Sequence, residues 1–252
     1  MEHGLHIALA AERVGSLFGL PITNTLITAW IVMATLFVVA YVVGRNPQLV
    51  PGRLQNLFEA GFEYVLALME QMLGNRALAL RFFPLITTIF LFIFVSNLFN
   101  FLPIFGTFNI YQHGEAVPLF RGVNSDLNVT LALAIISFFT IEITGILALG
   151  FLKYGSKFVN FKDGLVGFLV GLVELIGNLA RLISLSFRLF GNIFAGEVLL
   201  LVIGSFVPLV APLPFLAFEL FVGFLQAAIF ALLTLAFIKI AVTDHREHAG
   251  AH

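Results

Sequence analysis

The sequence predicts an all-α integral membrane protein of about five membrane helices plus one interfacial amphipathic helix, the last two of the five being long. Three observations carry this. Of 252 residues, 60 % are hydrophobic and 11 % are charged, and the mean hydropathy is +1.04, outside the range of a soluble globular domain. Five apolar runs, 21–43, 82–105, 127–152, 164–204 and 213–242, are each long enough to span a bilayer. The fourth run is too long for an upright crossing. About 40 helical residues reach about 60 Å, twice the roughly 30 Å hydrocarbon core, so this helix must be steeply tilted or broken. Gly177, Gly191 and Gly196 offer places to bend, and the pattern leaves both possibilities open.

Composition also excludes. A net charge of −1 implies no bulk electrostatic partner, so no nucleic-acid role is expected. With no cysteine there is no disulfide, thiolate catalysis or Cys-ligated metal,. Residues 1–20 read as a mixed surface segment and not as a signal peptide. Glu2 and Glu12 offset Arg13, and no apolar core precedes Pro21,. His3 and His6 read as part of a solvated terminus, not a metal site. The whole of 1–252 reads as a single membrane domain.

Thr23 to Val43 is the first crossing, ended by Gly44-Arg45-Asn46-Pro47. Residues 53–74 differ in kind. Leu54, Leu57, Phe58, Gly61, Phe62, Val65, Met69 and Met72 recur at helical spacing, with Glu59, Glu63 and Glu70 toward the other side. This predicts an amphipathic helix lying at the interface. The second crossing, Phe82 to Phe105, holds Asn97 and Asn100 on one face. Interhelical hydrogen bonding is their default reading, lining a water path the other.

Residues 106–125 form a polar connection, and Asp126 is placed to cap the helix that follows,. Leu127 to Leu152 is the third crossing, with Glu142 inside it. Two readings of Glu142 stay open: neutralising Arg181 or Arg188 within the chain, or a place on a proton path. Lys153, Lys157, Lys162 and Asp163 close that segment. Pro208, Pro212 and Pro214 mark an uncharged turn before the last apolar helix, which carries Glu219, Gly223 and Gln226 along one face. The tail from Asp244 to His252 reads as solvated, its histidines weak metal candidates.

The fourth run carries the unusual chemistry: Glu174, Arg181, Arg188 and Glu197 in an apolar, proline-free stretch. A charge at the bilayer centre costs about 2.5–3.5 kcal/mol on insertion scales. At about 100° per residue, Glu174, Asn178, Arg181, Arg188 and Asn192 share one narrow stripe, and Glu197 lies nearly opposite. No carboxylate sits three or four residues from Arg188, so its counter-charge must come from another helix or another chain.

Five crossings put the termini on opposite sides. With the N-terminus outside, Arg45, Arg53, Arg76, Arg81, Lys153, Lys157, Lys162, Lys239 and Arg246 fall on the cytoplasmic side, and only Arg13 and Arg121 outside. The positive-inside bias therefore predicts N-terminus out and C-terminus in.

No His-Glu-x-x-His motif, P-loop or Gly-x-Ser-x-Gly is present, and no catalytic site or cofactor is expected. Glutamates, asparagines, a glutamine and serines on facing membrane helices suit proton or ion transfer. Arg188 cannot itself relay, because a guanidinium keeps its proton. A fixed positive charge can attract a passing carboxylate and repel protons crossing directly. The carboxylate such a device needs is not obvious in this chain.

The run from Ser184 through Arg188, Asn192 and Glu197, with Glu219 and Gln226-Ala-Ala-Ile-Phe-Ala-Leu-Leu-Thr downstream, resembles subunit a of the F-type ATP synthase, bacterial type. The Phe-Pro-Leu to Leu-Pro run at 83–103 and Asp126-Leu-Asn-Val-Thr-Leu match too, so the resemblance covers about residues 80–242. It implies a stator packed against a rotating ring of c subunits, each with an essential carboxylate, with b-type peripheral stalk subunits and the rest of the synthase as further partners. Arg188 would face the ring carboxylate and separate two aqueous half-channels. Asn192, Glu197, Glu219 and Gln226 would belong to the outer one, with Glu174 and Ser184 toward the cytoplasmic one and Arg181 in support. The last two helices would lie strongly inclined along the ring, and the location would be a bacterial inner membrane.

One departure is that many relatives pair a Glu with a His where this chain has Glu197 and Glu219; two nearby carboxylates should share a proton. The alternatives are a small secondary transporter with a midplane Arg/Glu site, against which no inverted repeat is visible, and a membrane scaffold held by structural ion pairs.

Overall fold

The computed structural model describes residues 11–17, 19–45, 52–101, 108–112, 115–150, 154–155, 164–207 and 210–249. The readings of His3, His6, Lys153, Lys157, Lys162, Asp163 and Pro208 lie outside these residues. Among the described residues six helices carry the fold: α1 (Asn24–Gly44), α2 (Arg53–Leu73), α3 (Arg76–Phe99), α4 (Leu127–Leu149), α5 (Gly164–Phe206) and α6 (Pro212–Ala249). All but α2 are long and apolar enough to cross a membrane.

Two antiparallel hairpins add to the helices: β1 (Arg13–Leu17) with β2 (Leu20–Thr23), and β3 (Asn109–Gln112) with β4 (Glu115–Pro118). The sequence pattern shows neither, because each strand is only four or five residues long.

Capping residues set several helix boundaries. Thr23 accepts from the Leu26 amide and starts α1. The Asn75 side chain accepts from the amides of Ala77 and Leu78, starting α3 six residues before the apolar run at Phe82. Arg76 and Arg81 can ride inside that helix because long basic side chains reach back to the interface. Asp126 caps α4 through the Asn128 amide at 2.9 Å, as its position predicts. Its other oxygen accepts from the Thr25 hydroxyl at 2.8 Å, tying the starts of α1 and α4 together. Such a hydrogen bond to a charged group stabilises by about 1.5–3 kcal/mol. α4 ends at Leu149 rather than Leu152. At the C-terminus α6 runs on through the polar tail to Ala249.

The α5 helix is unbroken over 43 residues. That continuity excludes the broken alternative. At about 65 Å, α5 is about twice as long as a hydrocarbon core is thick, and the 31-residue span of α6 exceeds that thickness too,.

The α6 helix is the hub, packing on α2, α3, α4 and α5. One core cluster joins Ile89 and Ile93 of α3, Ala134 of α4, Leu185, Leu189 and Ile193 of α5, and Ala227 and Phe230 of α6. A second joins Met69 of α2 to Phe82 and Ile86 of α3 and Leu235 and Ile238 of α6. Phe224 of α6 meets Phe90 and Phe94 of α3 edge-on at 6.0 and 5.7 Å. The expected apolar face of α2 is thus used only toward its C-terminal end. Leu54 and Leu57 stay exposed, as an interfacial helix would leave them,.

Candidate functional site in the α5–α6 seam

The periodicity of α5 explains the site. Leu185, Leu189 and Ile193, four residues apart, point into the core, and Ser186 beside them bonds Thr130 of α4 at 3.1 Å. Arg181, Ser184, Arg188 and Asn192 therefore emerge at the rim of that buried stripe and are exposed. Leu185 shares their angular sector but is buried, so the polar stripe and the exposed face coincide only partly.

The Arg188 guanidinium has the Ser184 hydroxyl at 3.5 Å as its hydrogen-bond partner. The ion pair among the described residues joins Arg76 to Glu70, far from here in sequence. No described carboxylate lies within 4 Å of Arg188. It borders a cleft of about 300 Å³ lined by Gly177, Ala180, Arg181, Ser184, Leu185, Leu233 and Phe237. About one turn further on, a second cleft of about 240 Å³ is lined by Asn192, Gly196, Phe218 and Glu219, among others. The two clefts lie along the same seam, one on each side of the Arg188 level.

The Glu219 carboxyl is buried and lies against Gly196, where a Cβ would sit 2.8 Å from its Oε1. Its Oε2 has no protein partner among the described residues. Glu197 lies near enough to act on it electrostatically. Glu197 turns from the Arg188 stripe toward Asn100, whose amide donates at 3.5 Å, and toward Gly122, Ser125 and Arg121. The structure therefore brings Glu197 and Glu219 together from opposite sides of the seam, with Asn192 beside the Glu219 cleft. Gln226 is buried two turns further along α6.

The two asparagines of α3 divide their roles. Asn97 donates to the Gly223 carbonyl at 2.9 Å and accepts from Asn124 at 2.7 Å, which is interhelical bonding. Asn100 instead reaches Glu197.

At the other end, Glu142 does not pair directly with either arginine among the described contacts. It accepts from the Tyr154 hydroxyl at 2.5 Å and from Asn178 at 3.2 Å, while Arg181 donates to Asn178 at 2.9 Å. Arg181 also lies over the Phe237 ring at 5.0 Å. Glu174 is half-buried one turn before Asn178. Sequence reasoning missed Tyr154, Asn124 and Ser137. They are isolated polar residues whose relevance comes only from the packing of distant segments. No three His, Asp or Glu side chains converge as a metal site among the described residues.

Five apolar helices, with a fixed cation and a buried carboxyl group along one seam, define a multi-pass membrane protein. The family described as ATP synthase A chain matches residues 26–239. Relatives named ATP synthase subunit a are 36 % identical in Campylobacter jejuni over 84 % of this chain and 86 % of theirs, and 35 % identical in Campylobacter hominis over 93 % and 96 %. The Campylobacter fetus relative of the same name is 34 % identical over 89 % and 92 %. The chain belongs to the ATP synthase subunit a family. It is a multi-pass membrane protein of ATP synthesis and ion transport, part of the synthase complex.

Proposed function

We propose that this chain is the proton-translocating stator of the membrane sector, with Arg188 as the charge barrier facing the carboxylates of a rotating c ring. The carrying observation is an exposed guanidinium with no described carboxylate within 4 Å, flanked by two clefts in one helical seam. Asn192, Glu197, Glu219 and Gln226 serve the outer half-channel. Ser184, Glu174, Arg181 and Glu142 serve the cytoplasmic one. A proton loads on the outer side onto a ring carboxylate, which cannot pass Arg188 ionised without pairing with it. Its proton leaves on the inner side after the ring has turned. The positive charge blocks the direct path between the clefts. Peripheral stalk subunits of b type hold the stator against the ring.

Cross-linking tests the ring contact. Cysteines at Ser184 or Asn192, both exposed, are expected to form disulfides with cysteines near the ring carboxylate, whereas Leu189→Cys, buried at 1 % exposure, is not. Leu185, at 7 %, belongs with the buried control. Equal yields from the two faces would refute the orientation.

The membrane is a bacterial inner membrane, with the N-terminus outside and the C-terminus cytoplasmic. In this cysteine-free chain, an impermeant maleimide should label Phe108→Cys only from outside and Glu59→Cys only in inverted vesicles. The reversed pattern would overturn this topology.

A further inference from the structure

Apart from the two clefts, a small cavity lies between α4, α5 and α6, bordered by Ser137, Glu142, Asn178, Arg181 and Phe237. Its volume of about 20 Å³ admits one water molecule. Ser137 is only 1 % exposed, and its hydroxyl has no protein partner among the described residues. A buried hydroxyl without a bond costs about 1–3 kcal/mol, so a water here would satisfy it. Tyr154 is buried in the hollow at Gly145, where any Cβ would collide with its ring. The Tyr154 ring is thereby docked on α4, and the phenol reaches Glu142.

We propose that Glu142 is a further proton-holding carboxylate of this chain, an inner station exchanging protons with water in the Ser137 cavity and positioned by Tyr154, Asn178 and Arg181. This rests on the stator reading above. In the step, a hydronium gives its proton to Oε1 of Glu142 and becomes water, and return of that proton to water restores the carboxylate. No other bond changes. Oε2 meanwhile keeps the Tyr154 hydrogen bond.

The surroundings leave Glu142 as the group that can exchange. Burial, and then the bond to Glu142, hold the Tyr154 phenol protonated well above its ordinary range, so Tyr154 remains a donor. Arg181 does not release its proton. Glu174 of α5 acts on Tyr154 through its charge, and α6 presents Phe237 to the cavity. A structural ion pair would bring Glu142 and a guanidinium into contact. Here Asn178 stands between them, donating to one and accepting from the other. Arg181 borders both this cavity and the Arg188 cleft, which gives the station a connection to the path.

The experiment uses the whole synthase in inverted vesicles, measuring ATP-driven pumping as the pH of the cytoplasmic-side medium is varied. Glu142→Gln is expected to slow pumping at least about tenfold, within the range of lost proton-transfer groups, and to remove one limb of the pH profile. Glu142→Asp should restore that limb. Tyr154→Phe keeps the ring over Gly145 but removes a donor to the carboxylate, and should displace the limb toward higher pH. A profile merely scaled down in Glu142→Gln, or unchanged profiles in both Glu142→Gln and Tyr154→Phe, would overturn the proposal. An Arg188→Ala control separates the two levels: if it still pumps, the stator reading has failed, and if only the Glu142 arms are inert, this inference alone has.

Discussion

Vesicles carrying the synthase with Arg188→Ala are expected to lose ATP-driven proton pumping by at least about 100-fold, some 2.7 kcal/mol in the coupled step, while the complex stays assembled. Assembly should survive because Arg188 is exposed and its only described hydrogen bond, to Ser184, is long. Its packing neighbours Leu185 and Leu189 remain in the core. Arg188→Lys should fail as well. A lysine can lose its charge when desolvated and lacks the planar fork that grips a carboxylate. Arg181 differs, since it donates to Asn178 and rests on Phe237; Lys or Gln there should retain partial activity. Coupled pumping retained by Arg188→Ala would remove the charge-barrier reading.

Glu219→Gln is expected to slow turnover by about 10- to 100-fold and to change its pH dependence. Glu219 is 6 % exposed, one of its carboxyl oxygens has no described protein partner, and Glu197 lies near enough to act on it electrostatically. Two carboxyls in such proximity titrate as a pair, and the amide leaves one group where there were two. Glu219→His returns a titrating side chain and should recover more activity than Gln. The space is tight, since the carboxyl already presses on Gly196. Pumping measured between about pH 6 and pH 9 for the three forms checks this; superimposable profiles would mean that Glu219 only bonds helices together.

Hydropathy alone carried the five crossings and the amphipathic α2, because each is a long run with a single period. Element ends were legible where a cap residue is explicit, as at Asp126, and were misplaced where a basic residue sits inside the membrane helix, as at Arg76 and Arg81. In the site, Arg188 was legible because charge in an apolar run is costly. The division of labour between Asn97 and Asn100 was not, since both lie on one face of α3 and only the approach of Gly223 and Glu197 separates them. Tyr154 was invisible for a similar reason. A lone tyrosine among lysines acquires meaning only when Gly145 lets its ring dock.

The continuity of α5 has a mechanical consequence. A rod of 43 residues without a hinge behaves as a beam, and a sideways push on one of its side chains bends it unless it is braced. Leu185, Leu189 and Ile193, all within about one and a half turns of Arg188, are that brace, pressed onto α3, α4 and α6. Close-packed interiors yield little, so force applied at the guanidinium passes into three other helices rather than into curvature of α5. The braced stretch of α5 thus flanks the exposed guanidinium of Arg188.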